Sequence, residues 1–218
     1  MSFVVLDSPR GRRRPGARLT IVAAALAGSL LLAGCAPLVV GGAAVGAVMI
    51  ATDRRTVGIQ LEDQSIELRA ANRVRELLAD RGNVSVTSYN RIVLLTGEVP
   101  AEADRARVED TVRGVDNVRA VVNELAVMAP TSLTERARDG VLATRVRAAL
   151  IDARDVDSMA IKVVTERSVV HLMGRVTEAE AQRVSEIARA IPGVQRVVRV
   201  FELISPEELA ALRGTGSR

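Results

Sequence analysis

The sequence predicts an α+β fold, with two small αββαβ units in tandem behind a removable leader. Each unit is expected to be a three-stranded mixed sheet with two helices on one face. Three observations lead there. Hydrophobic residues make up 48% and charged residues 26% of the 218 positions, a balance that folds. One pattern of helical and strand periodicities is written twice. A basic, then apolar, amino-terminal stretch ends at the chain's single cysteine.

The leader comes first. Arg10, Arg12, Arg13, Arg14 and Arg18 precede an apolar run from Leu19, and Leu32, Ala33 and Gly34 stand before Cys35. Basic, apolar and small residues in that order make a secretory signal, here 1–34. The arginine cluster lacks the apolar residues that follow a twin-arginine pair, so the general secretion route is expected. Without the leader the chain keeps 25 basic and 25 acidic side chains, and the high isoelectric point belongs to the discarded part. A nucleic-acid binder would keep its basic excess in the folded part. The only aromatics are Phe3, Tyr89 and Phe201, too few for base-stacking platforms. Nucleic acid is therefore not an expected partner.

The run "LAGC" at 32–35 resembles the lipobox of bacterial lipoproteins. That resemblance implies cleavage before Cys35, diacylglycerol on its thiol and an acyl chain on the new amino terminus; no other cofactor is expected. Several acyl chains hold a protein on a membrane where one is marginal. In such lipoproteins an Asp after the cysteine favours inner-membrane retention. Ala36 stands there instead, which implies an outer-membrane, lipid-anchored protein on the periplasmic face. A second apolar run, 38–51, contains Gly41, Gly42 and Gly46. It is shorter than the roughly 20 residues a spanning helix needs and reads as a tether.

The repeat occupies the rest. "AANRVRELLAD" (70–80) matches "LATRVRAALID" (142–152), and "VSVTSYNRIVLLTGEV" (84–99) matches "IKVVTERSVVHLMGRV" (161–176). "VDNVRAVVNELAV" (115–127) matches "IPGVQRVVRVFEL" (191–203). First helices carry Val74, Leu77 and Leu78 in one copy and Leu142, Val146, Ala149 and Leu150 in the other, at helical spacing. Second helices carry Val108, Val112 and Val115, then Ala181, Val184, Ile187, Ala188 and Ile191. β-Branched runs at Ile92–Leu95, Val169–Val170, 118–122 and 194–198 read as strands. Asn117 and Gly193 stand where a left-handed cap would follow the second helix. Gly97 and Gly174 follow the central strand, where a bulge or close backbone approach is expected. The boundaries read as tether 35–62, first unit 63–128, linker and helix start 129–137, second unit 138–205 and tail 206–218.

With its V-x-L-x-G-x-V strand, helix and V-x-x-V strand, the unit resembles the BON domain. Two copies behind a lipobox and "ATDRRTVGIQLEDQSIELR" (51–69) are similar to the BON-domain lipoprotein family. The resemblance implies a non-enzymatic envelope protein that binds anionic phospholipid through its second unit. Members of that family carry an aromatic residue near the position of Val141, which this chain lacks.

Chemistry is sparse. His171 is the only histidine, on a strand at the position Leu94 takes in the first unit, and reads as structural. No zinc-type Cys/His cluster, phosphate-cradling loop or catalytic constellation can be assembled, so no enzyme is expected. Acids at the second-helix starts suit the helix dipole. From residue 131 onward the chain has 14 basic and 12 acidic residues, and all basic residues but Lys162 are arginines. Arg138, Val141 and Arg145 share a helical stripe beside Leu142. An arginine–apolar–arginine stripe fits an anionic bilayer surface. The alternative is an adaptor whose sheet faces dock outer-membrane assembly or division-site proteins.

Overall fold

The computed structural model describes residues 53–79 and 81–215. Helix α1 (Val57–Leu78) starts where the Thr56 hydroxyl accepts the Ile59 amide at 3.3 Å, and closes on Ala79 at a left-handed φ of 44°. Then come β1 (Asn83–Tyr89), β2 (Ile92–Val99), α2 (Glu102–Arg113), β3 (Ala120–Asn123) and β4 (Ala126–Val127). The second repeat runs α3 (Leu133–Asp152), a 3₁₀ turn (Ser158–Ala160), β5 (Lys162–Glu166), β6 (Val169–Val176), α4 (Glu178–Arg189) and β7 (Arg196–Leu203). A final helix α5 (Pro206–Thr215) lies in what reads from sequence as a tail. The folded part also begins ten residues before position 63, with Asp53 already hydrogen-bonded to Arg55. Ser132 and Glu135 form a reciprocal capping box that starts α3 within 129–137, the stretch read as linker and helix start.

Both sheets are mixed as expected, with the central strand antiparallel to the strand before it and parallel to the one after. The first differs in one respect: its last strand is split. The Asn123 side-chain oxygen accepts the Leu125 amide at 3.1 Å, and that turn sends Leu125 into the core between β3 and β4. β7 runs through without interruption.

Each repeat buries its helices on one sheet face. Ile66, Ala70 and Val74 of α1 and Val108 and Val112 of α2 meet Val93, Leu95 and Val99 of β2. Val146 and Leu150 of α3 and Val184 and Ala188 of α4 meet Val170 and Leu172. Strand alternation points Leu94, Met173 and Val200 the other way, and these join Tyr89 in a third core between the two sheets. The molecule is thus helices, sheet, sheet, helices. The faces an adaptor would offer to partners are spent on each other.

Charged bonds rim that central layer. Arg167 reaches Glu98 at 2.7 Å, Arg196 reaches Glu124 at 2.7 Å, and Arg119 reaches Glu202 at 3.2 Å. Glu98 is fully buried; burial raises its carboxyl, but bonds from Asn83 and Arg167 outweigh that and hold it below the usual range. Burial, with the Asp53 charge beside it, pushes the Tyr89 phenol up to about 12. Ahead of α1, Arg54 inserts into the second repeat, giving Glu180 two bonds of 2.7 and 2.9 Å and the Arg175 carbonyl one of 2.7 Å. Arg55 stays with the first, bonding Asp63 at 2.8 Å and lying 4.1 Å over the Tyr89 ring.

The hairpin tips correct the way the first helices pair. Asn90 and Arg91 sit at φ 50° and 64°, and Arg167 and Ser168 at 48° and 60°, as a two-residue type I′ turn demands. Asp63 on α1 accepts the Asn90 and Arg91 amides, and Asp139 on α3 accepts those of Arg167 and Ser168. The N-caps Thr56 and Ser132 share the offset that relates these aspartates. The helices therefore correspond at 76 positions, one turn away from the match of 70–80 with 142–152. A stripe repeating every turn looks the same after a one-turn slip.

Candidate lipid-facing groove

Helix α3 buries Leu142, Val146 and Leu150 and turns its neighbouring stripe outward. Thr134, Ala137, Arg138, Val141, Leu142 and Arg145 form one wall of a mainly apolar groove of about 470 Å³. The opposite wall is the β5–β6 tip at Ser168 and the turn at Pro192 and Gly193. All four residues expected to meet lipid are together here. Val141 is 54% exposed, and Leu142 forms the floor at 6%. No ion pair is found for Arg138 or Arg145 among the described residues. Their guanidiniums are left to solvent on either side of an apolar strip.

The first repeat shows what the same place looks like when closed. At the corrected offset Arg138 corresponds to Glu62, Arg145 to Arg69 and Gly193 to Asn117. There, Glu62 accepts Arg69 at 2.8 Å and the Asn117 amide at 3.0 Å. The Asn117 bond, then the Arg69 pair, hold the Glu62 carboxyl below its usual range. Glu62 to Arg138 removes the acceptor, and Asn117 to Gly193 removes a side chain. What remains is two cations and open space. The spacing of Arg138 and Arg145 was visible in the sequence. Ser168 and Pro192 were missed because they reach the groove only through tertiary contact.

The four turn residues divide into two kinds. Asn117 (φ 68°) and Gly193 (φ 101°) take left-handed backbone, three residues beyond the C-caps Gly114 and Ala190 rather than at them. Gly97 and Gly174 lie within β2 and β6 rather than after them. Gly97 has φ 110°, and a Cβ there would stand 2.0 Å from the Asn83 carbonyl oxygen. At Gly174 a Cβ would meet the Ala160 carbonyl at 2.7 Å, so close approach alone requires glycine. His171 is buried on β6, with Nε2 3.7 Å from Glu124. Burial holds its imidazole below the usual range, with Glu124 offsetting only part.

Cys35, its leader and the run 38–51 lie outside the described residues. Among those described, no group of three or more His, Cys, Asp or Glu could hold a metal, and no helix is long and apolar enough to cross a membrane.

The BON domain matches twice, at residues 67–129 and 138–204, on the two αββαβ repeats. The chain belongs to the BON-domain family. The outer membrane lipoprotein DolP of Haemophilus influenzae is 35% identical over 82% of this chain and 93% of its own length. The osmotically-inducible protein Y of Escherichia coli is 30% identical over 65% of this chain and 72% of its own length. A 21 kDa hemolysin of Actinobacillus pleuropneumoniae is 27% identical over 70% of this chain and 79% of its own. Arg138, Val141, Leu142 and Arg145 of the groove fall in the second BON match, and Arg69 and Asn117 of the closed counterpart in the first, with Glu62 just ahead of it.

Proposed function

We propose that this BON protein is an outer-membrane lipoprotein, anchored through Cys35 on the periplasmic face. In this reading it binds anionic phospholipid with its second domain and supports envelope integrity without catalysing a reaction. The observation that carries the binding is the replacement of the Glu62–Arg69–Asn117 network by Arg138, Arg145 and Gly193. It opens an apolar strip between two arginines that form no salt bridge among the described residues. A phosphate accepts a guanidinium fork, and acyl carbons adjoining it can rest on Val141 and Leu142. With no aromatic on this stretch of α3, contact is expected to be superficial, at the depth of the headgroups. The name of the Haemophilus relative supports the location, and the "LAGC" box supports the anchor.

Vesicle flotation of a fragment spanning residues 49–218, which holds all three cores, tests the binding. It should float with vesicles containing phosphatidylglycerol and much less with phosphatidylcholine alone. Joint Arg138→Glu and Arg145→Glu substitution should weaken binding roughly tenfold or more, each arginine contributing about 1 kcal/mol. Equal flotation with both vesicles, or an unmoved double variant, would sink the proposal.

A further inference from the structure

A larger groove, of about 690 Å³, runs along the opposite flank of α3. Every residue from Ile161 to Glu166 lines it, so its floor is the whole of β5, and Arg136, Ala143 and Arg147 form the α3 side. β5 is an edge strand, paired with β6 and with no strand on its other side among the described residues. Unpaired edge amides and carbonyls are templates for another strand, and proteins commonly blunt them.

The equivalent edge of the first domain is blunted by side chains, two of its own and one from β5. Ser88 of β1 gives its amide to Glu67 at 2.7 Å and its hydroxyl to Asp63 at 2.6 Å, and its carbonyl receives Lys162 at 3.2 Å. Ser88 corresponds to Thr165, both directly preceding the residue that enters the hairpin tip, and Glu67 corresponds to Ala143. Ala143 has no acceptor to offer. Asp139 is committed to the tip amides of Arg167 and Ser168, and the buried Thr165 hydroxyl has no hydrogen-bond partner among the described residues. Two residues back, the Val163 carbonyl is met, among the described residues, by the Arg147 guanidinium alone, at 2.9 Å. Strand parity puts Val163 and Thr165 on the same outward side. Glu67 and Asp63 close this edge in one domain; Ala143 opens it in the other.

We infer that the outer edge of β5 receives an extended, acidic segment of a partner protein as an added strand. Charge selects the occupant. Arg136 and Arg147 border the groove and form no salt bridge among the described residues, Arg136 acting only at longer range on Glu166, whereas the groove's own acids are engaged or withdrawn. Asp53 is paired with Arg55, Asp139 holds the tip, and Glu166 is buried. An incoming strand would give an amide to the Val163 carbonyl, displace Arg147, and accept the Thr165 amide. The released guanidinium would then meet a carboxylate on the added strand. Main-chain bonds supply affinity in such additions, and flanking side chains supply selectivity. The site is on the other side of α3 from the lipid groove and does not depend on the lipid reading.

Amide hydrogen exchange on the intact protein in detergent tests this with a synthetic peptide of alternating Glu and Val, blocked at both ends. In the free protein the Thr165 amide should exchange roughly tenfold or more faster than the Ser88 amide, since one is open and the other bonded. The Glu peptide should slow Thr165 exchange, and a Lys-for-Glu version should not. Ala143→Glu should slow Thr165 without peptide and abolish the peptide's effect. If that crowded variant does not fold, Arg136→Glu with Arg147→Glu, both exposed, should remove the response to the Glu peptide. Equal protection of Thr165 and Ser88 in the free protein would overturn the inference. So would no response to the Glu peptide, an equal response to the Lys peptide, or an unchanged response in the double variant.

Discussion

Asp63 and Asp139 occupy matching places on α1 and α3, but they hold unequal loads. Asp139 accepts the two tip amides of its hairpin, Arg167 and Ser168. Asp63 accepts the same pair from Asn90 and Arg91, and also the Ser88 hydroxyl and the Arg55 guanidinium. These bonds hold four non-glycine residues at positive φ, which would otherwise disfavour the turn. Removing a carboxylate leaves buried amides without acceptors, at about 1–3 kcal/mol each. Asp63→Ala should therefore destabilise the protein by at least about 2 kcal/mol, and more than Asp139→Ala does. Urea unfolding of both variants measures this; equal midpoints would show that the extra donors at Asp63 contribute nothing.

Among the elements, the two second helices differ most clearly at their starts. α4 opens with a reciprocal box between Thr177 and Glu180, whereas Ala101 at the start of α2 offers no side-chain cap. The backbone at Ala101 is already extended, at φ −147° and ψ 154°, as a cap requires. Transplanting the second domain's residue, Ala101→Thr, should raise stability by about 1 kcal/mol. An unchanged or lower urea midpoint would count against it. Strand alternation acts at the same scale. Leu94 and Met173 turn away from their helices because neighbours on either side along each strand turn toward them, and that alternation generates the central core.

At the scale of the molecule, stability depends on keeping two sheet faces together, and His171 makes that contact sensitive to acid. Its pKa is depressed by burial between Val164 of β5 and Val198 of β7, with Glu124 and Arg196 the charges facing it. A base with a depressed folded-state pKa costs nothing while both states are neutral. Stability then falls as pH drops below the unfolded value of about 6.5, because only the unfolded chain takes the proton. Lowering pH from about 7.5 to 5.5 should reduce the urea midpoint, and His171→Leu, which copies Leu94, should flatten the slope in that window. An unaltered slope in the variant would assign the acid response elsewhere. Arg54 belongs to this scale too: it secures the segment before α1 onto β6 and α4 of the second domain.

Apolar spacing alone determined the αββαβ unit, its duplication, the helix-facing residues and the stripe of Arg138, Val141 and Arg145. Those depend on local periodicity, which a chain carries whether folded or not. The runs at Ile92–Leu95 and Val169–Val170 were legible as strands with helices on one face, but not that the other face is covered too. The tertiary structure decided that each sheet covers the other. It also decided the pairing of the helices, because a stripe repeating each turn tolerates a one-turn slip while the bonds of Asp63 and Asp139 to their hairpin tips do not. Only with that pairing do Arg138, Arg145, Gly193 and Ala143 stand against Glu62, Arg69, Asn117 and Glu67. Two closed places in one domain are then two open ones in the other.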